Sequence, residues 1–154
     1  MPLIRKTDVK MDSGKAETTG LAAGLGSYDA LLYSDTGDLS QFGAFVEVLH
    51  PGSYSSHRHW HDQEDEFVYL LSGEVTLIDD GGKHLMYPGD AAAFKAGEAN
   101  GHHLHNHSDQ NASYLVVGTR AASDRVHYSD IDRIYVRENG QVSRTKRDGT
   151  PLEP

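Results

Sequence analysis

Short β-prone runs separated by turn signals occupy the chain from Glu66 to Val117. Their spacing of roughly 8–12 residues points to a sandwich or closed barrel and excludes alternating β and α units. Glu66 to Leu71 reads as a strand, Ser72-Gly73 as a turn and Glu74 to Ile78 as the next strand. Asp79-Asp80-Gly81-Gly82 is a hairpin signal, followed by His84 to Tyr87. Pro88-Gly89-Asp90 turns into Ala91 to Phe94, and after the loop from Gly97 to Gly101 come His102 to Asn106 and Tyr114 to Val117. Upstream, Tyr28 to Tyr33 and Phe42 to Leu49 are strand-like, and Pro51-Gly52 ends the second. The expected fold class is all-β.

The flanks lack this rhythm. Residues 1–20 are polar without a sustained period and read as loose, within an N-terminal arm of residues 1–27. Residues 28–120 form the barrel domain, and 121–154 a C-terminal extension packed on it, with a weak turn around Ser129 to Ile134 and a tail too rich in Gly and Pro for helix. At 154 residues the chain has the length of one ordinary domain. Phe67-Val68-Tyr69-Leu70-Leu71 is apolar on both faces, although a barrel interior covers only one. Phe67 and Tyr69 therefore call for a cover, and a homodimer is expected.

Composition narrows the function classes. Without cysteine the chain has neither disulfides nor thiolate ligands, and a formal charge of −9 repels phosphate backbones and anionic lipids. Nucleic-acid and membrane partners are not expected. No apolar stretch approaches the roughly 20 residues that span a bilayer, and the first residues lack a signal-peptide core, so the cytoplasm is the expected location.

The histidines point to a metal. His57, His59 and His61 are spaced two apart and leave one face of an extended chain. Glu66 opens the next strand, with Val68 and Leu70 on its side, and the intervening residues allow a tight return. A further donor must come from elsewhere in the chain. His102 stands on a distant strand that shares its face with Leu104 and Asn106, while His103 and His105 face away. Imidazoles with one carboxylate suit a single divalent ion such as Zn, Mn, Fe or Ni, with a coordination position left for water or substrate. A surface role, with the histidines solvated or bonded to Asp62 and Glu64, is the alternative from spacing alone.

These residues lie in a pattern that resembles the cupin superfamily. Its first motif is met by Gly52, His59-Trp60-His61, Glu66 and Gly73, with one residue more than usual before His59. Its second is met by Gly89, Lys95-Ala96-Gly97, His102 and Asn106, with lysine in place of proline and two extra residues before His102. The resemblance implies a double-stranded β-helix, or jelly roll, with His59, His61, Glu66 and His102 as ligands near one end of the barrel. His57 shares their parity, so a set shifted by two residues stays open, with His57 otherwise at the rim.

More narrowly, several segments resemble an uncharacterised bacterial group of single-domain cupins. They are His57 to His61, Glu64 to Leu70, Phe94 to Gly97, Gly101 to Leu104, Gly118 to Arg120, Tyr128 to Asp132 and Asp148 to Pro151. That likeness names no reaction.

The expected function is a metal-dependent enzyme acting on a small oxygen-bearing molecule, by dioxygenase, isomerase or decarboxylase chemistry. A non-catalytic small-ligand binder or sensor is the alternative. His57, Asn106, Tyr87 and Glu64 are expected around the ligands or in the substrate pocket. The general base is unassigned among His57, Tyr87 and His103. Trp60 is expected to pack outside. No dinucleotide or Walker-type fingerprint is present.

Overall fold

A computed structural model describes residues 2–153. A turn of 3-10 helix, Lys6–Asp8, precedes β1 (Lys10–Gly14) and β2 (Tyr28–Leu32), and a single helical turn α1 (Tyr33–Thr36) leads to β3 (Phe42–Leu49). Then come β4 (His59–His61), β5 (Glu66–Ser72), β6 (Val75–Asp79), β7 (Gly82–Met86), β8 (Ala91–Phe94) and β9 (His103–His105). The chain ends with β10 (Ala112–Thr119), β11 (Asp124–Tyr128), β12 (Ile134–Glu138) and β13 (Gln141–Thr145).

A six-stranded sheet in the order β1-β2-β3-β10-β5-β8 forms one wall. Two smaller sheets, β13-β12-β11-β4 and β7-β6-β9, make up the opposite one. Isolated bridges continue this second wall, His59 with His102 and Tyr54 with His105. All the strand pairs run antiparallel, as in a jelly roll.

The core lies between the walls. Leu49, Val68, Leu70, Val75, Met86, Leu104 and Tyr114 are buried there. Strand parity decides which side chains enter: Val68 and Leu70 point in, while Phe67 and Tyr69 on the same strand stay 39% and 38% exposed. Gly73 makes the turn after β5 at φ +78°, where a Cβ would meet the Asn111 carbonyl at 2.7 Å. No helix among the described residues is long and apolar enough to cross a membrane.

Three local readings change. The polar opening segment, expected to be loose, supplies β1, which pairs with β2 over its whole length. Its alternation is invisible because all but the last of its residues are exposed. The tail forms the β11–β12–β13 meander, with strands on either side of the bend at 129–133 that were not expected, and β11 pairs directly with β4. His102 precedes β9 and joins β4 through the bridge to His59.

Candidate metal centre

Only three residues long, β4 is gripped on both sides. Val126 of β11 pairs with His61, and Tyr128 with His59. On the other side His59 and His102 exchange backbone hydrogen bonds of 3.2 and 3.0 Å. Arg58, just before β4, donates to both carboxylate oxygens of Asp130 at 2.8 Å, to Asp80 at 2.8 Å and to the Gly101 carbonyl at 2.9 Å. Gly101 sits so close to the tail that a Cβ would fall 1.7 Å from Ser129 Oγ. Trp60, alternating with the two histidines, faces outward as expected and stacks on His127 with centroids 4.0 Å apart.

His59 and His61 therefore project to the interior, where Glu66 meets them from the first position of β5. The Glu66 Oε2 atom lies 3.8 Å from His59 Nε2, 3.5 Å from His61 Nε2 and 3.5 Å from His102 Nε2. Each imidazole is oriented through its other nitrogen. The Nδ1–H of His59 donates to the His57 carbonyl at 2.9 Å, and that of His102 to the Asn100 carbonyl at 3.0 Å. That of His61 donates to Asp124 Oδ2 at 2.7 Å. A carbonyl only accepts, so in neutral His59 and His102 the Nε2 atom presents a lone pair to the carboxylate.

This arrangement calls for a cation. Lone pairs aimed at a carboxylate oxygen repel unless a proton or metal ion lies between them. Donors sharing one ion at the usual metal–ligand lengths sit about 3.0–3.4 Å apart, only slightly closer than the spacings found here. His102 Nε2 is buried and has no hydrogen-bond partner among the described residues. His59, His61 and Glu66 bring their ligand atoms within 4.8 Å of one another, and His102 shares the same Glu66 oxygen.

The electrostatics agree. Burial opposes charge on His61, but Glu66 and Asp124 outweigh it and carry its pKa up to about 9. Burial likewise opposes charge on Glu66, yet the imidazoles of His102, His59 and His61 hold it well below the usual carboxylate range. The pocket is built for positive charge.

A neighbouring group of His61, Glu64 and Asp124 also has ligand-like spacing. Its members are already engaged: Asp124 accepts from His61 and from the Gln63 amide at 2.9 Å, and Glu64 from Arg137 at 2.8 Å and the Ala121 amide at 2.9 Å. This group supports His61 from behind and is not a second ion site.

The donors open on a cavity of about 480 Å³ between the walls. Ser55, Ser56, His103 and Glu64 border it, and so do Glu47 and Tyr114 from the large sheet. The other residues expected around the site fall elsewhere. His57 turns its ring away, with Nε2 3.2 Å from the Leu21 carbonyl, and reaches the site only through its own carbonyl beneath His59. Asn106 is fully buried four residues beyond His102, about 13 Å along an extended chain. There its amide donates at 2.8 Å to the carbonyls of Leu49 and Gln110. Tyr87 is half-exposed in the turn after edge strand β7, outside the cavity.

Residues that sequence reasoning missed do as much work. Asp124 escaped because its strand was not foreseen. Phe94, stacked on His102 with centroids 3.5 Å apart, carried no signal beyond its apolarity. Glu47 was legible, since it is the one charged residue in Phe42–Leu49 and shares the inward parity of Leu49.

The sequence profile of the cupin domain family matches residues 45–118. Among curated proteins none matches the chain. Among solved structures, a sugar phosphate isomerase of a cupin superfamily from Silicibacter pomeroyi is 38% identical, with a TM-score of 0.91 over 99% of this chain and 97% of that one. A provisional sugar phosphate isomerase from Acidithiobacillus ferrooxidans is 26% identical, with a TM-score of 0.76 over 83% and 81%. A predicted oxalate decarboxylase from Thermotoga maritima is 22% identical, with a TM-score of 0.61 over 76% and 97%, a likeness of fold alone.

Proposed function

Because the chain belongs to the cupin superfamily, we propose that it is a metal-dependent enzyme that isomerises a small hydroxy-carbonyl compound, with His59, His61, Glu66 and His102 holding one divalent ion. The observation that carries this reading is the convergence of three imidazole nitrogens on one carboxylate oxygen at the edge of a cavity that also holds hydroxyl and ionisable groups. A divalent ion there would polarise a carbonyl or hydroxyl oxygen and stabilise the charge that develops on it. The chain's part is to orient each imidazole through its Nδ1 contact, so that Nε2 faces the ion, and to keep the Glu66 carboxylate ionised. Glu66 is thereby occupied and is not the free base. Of the bases expected from sequence, His103 alone borders the cavity, with its ring turned to the Ser56 carbonyl at 2.8 Å.

Isomerisation is preferred over decarboxylation or oxygenation because the relative at 38% identity bears that name. The phosphate in that name is not carried over. Arg120 already donates to Asp35, Ser34 and the Leu39 carbonyl, and Arg137 to Glu64 and the Ala121 carbonyl. Each cavity arginine is thus already paired with a carboxylate of the chain.

The proposal includes a homodimer through the outer face of the large sheet. There Phe67 lies opposite Val117 and Ala93, and Tyr69 opposite Leu115 and Ala91. This apolar strip matches what a self-complementary interface buries.

The test is elemental analysis of untagged protein beside a His59→Ala/His102→Ala double variant. It is followed by NMR detection of solvent deuterium entering a panel of hydroxy aldehydes and hydroxy ketones that includes both sugars and compounds with an apolar middle. Near one equivalent of metal, lost in the variant, with metal-dependent deuterium exchange is the expected result. No stoichiometric metal after reloading overturns the ion site, and metal without exchange on any panel member overturns isomerisation.

A further inference from the structure

The cavity has a second polar point that the metal reading does not use. Glu47 of β3 and Tyr114 of β10 stand directly opposite each other, and the buried Tyr114 hydroxyl donates to Glu47 Oε1. Both residues line the cavity. The other carboxyl oxygen, Oε2, has no hydrogen bond among the described residues, while Glu47 retains 9% exposure, on the cavity side.

Strand register fixes where this pair lies. Glu66 is level with Gly118 and Gly43; Val68 with Val116 and Phe45; Leu70 with Tyr114 and Glu47. The pair is thus two inward rungs below Glu66, about 13 Å along the strands. The rung between consists of Val68, Val116 and Phe45, all apolar and all bordering the cavity. The space has a polar head at the histidines, an apolar waist and a carboxyl at its floor.

We propose that Glu47 and Tyr114 form a hydroxyl-recognition point, which receives a neutral hydroxyl on an apolar part of the ligand at the end remote from the histidine cluster. This rests on the reading above that the cavity is the substrate site, and it narrows the substrate to a molecule with oxygens at both ends and an apolar middle.

The chemistry selects a hydroxyl. Burial pushes the Glu47 pKa up to about 7, the Tyr114 bond opposes that rise, and the charge of Glu66 adds to it. Near neutrality the free oxygen therefore alternates between donor and acceptor, and a hydroxyl can answer both. A carboxylate or phosphate only accepts, and it brings negative charge to a floor that already holds Glu47 in sight of Glu66. A bare hydrocarbon leaves Oε2 without a partner in an apolar surround, which is costly. A purely structural carboxyl would have both oxygens satisfied within the wall.

The test uses small probes that need no metal: p-cresol, toluene and p-toluate, titrated into full-length protein with labelled valine methyls. Val68 and Val116 are the reporters. Wild type is expected to bind p-cresol about fivefold or more tighter than toluene, the usual gain from one hydrogen bond, and to bind p-toluate most weakly. Glu47→Met, apolar and of similar length, should remove or reverse the preference for p-cresol. Glu47→Gln, a neutral group that both donates and accepts, should keep that preference and relieve the penalty on p-toluate; as the near-isosteric variant it also guards against misfolding of the first.

Equal binding of p-cresol and toluene, no binding of either, or a preference that survives in Glu47→Met would overturn the proposal. Running EDTA-treated and Zn-reloaded samples with measured metal content separates this outcome from failure of the ion site.

Discussion

Replacing Asp124 by asparagine changes one atom and leaves the side chain's shape intact, yet it should disturb the metal centre from behind. Asp124 is buried and accepts two hydrogen bonds, one from His61 Nδ1–H at 2.7 Å and one from the Gln63 amide at 2.9 Å. An asparagine carbonyl can satisfy the amide only by turning its NH2 toward His61. Two donors then face each other, and His61 relieves the conflict by moving its proton to Nε2, the nitrogen that must carry a lone pair toward Glu66. If the side chain flips instead, the Gln63 amide loses its partner inside the fold. Losses of this kind behind a ligand histidine weaken metal affinity by about 10–100-fold, or about 1.4–2.7 kcal/mol. Competition against a chromophoric chelator, with Zn or Co as the probe, measures the change directly. Asp124→Glu is a useful partner, because it keeps the acceptor and disturbs only its reach. An affinity in Asp124→Asn equal to wild type would show that His61 does not need this carboxylate, and the role given to Asp124 would fall.

Other expectations follow from the same geometry. Phe67→Glu with Tyr69→Glu places charge on the outer strip of the large sheet. Sedimentation should then report a monomer where wild type is a dimer, and a monomeric wild type would remove the homodimer from the proposal. Gly73→Ala forces a side chain into φ +78° and against the Asn111 carbonyl; urea unfolding should register a loss of about 2 kcal/mol or more, and an unchanged midpoint would count against this turn geometry. Native Glu47 holds its proton up to about pH 7, whereas in the unfolded chain it releases it near its ordinary value of 4.5. The folded state binds more protons in that window, so Glu47's contribution to stability is present at pH 4 and lost as pH rises toward 7. Glu47→Gln should flatten this part of the stability profile, and identical profiles would contradict a buried, protonated carboxyl.

The barrel strands were legible because burial on one face writes itself as alternation: Val68 and Leu70 against Phe67 and Tyr69. The same parity put His59, His61 and Glu66 on one side, and family resemblance linked them to His102. Segments with no buried face left no such trace. Strand β1 is exposed along nearly all its length, and β13 begins with three exposed residues. The side chains that support the ligands were hidden for a related reason: Asp124, Asn100 and Phe94 act through contacts between distant segments, and no local pattern encodes a pairing. Asn106 shows the converse. Parity gave its face correctly but not its distance from the site, which depends on how far the chain travels per residue.

The tail strands, seemingly remote from the chemistry, set the geometry of the centre. A three-residue strand cannot hold its own register, since slipping by one residue would turn His59 and His61 outward and Trp60 inward. What forbids the slip in β4 is external. Three rungs with β11 pin it on one side and the His59–His102 bridge on the other. Arg58 ties its entry to Asp130 in the loop after β11 and to Gly101 just before His102. The same β11 supplies Asp124, so the strand that fixes where His61 lies also fixes which of its nitrogens carries the proton. Position and protonation are thus set by one element, and disturbance of the tail should reach the ion before it reaches the barrel core.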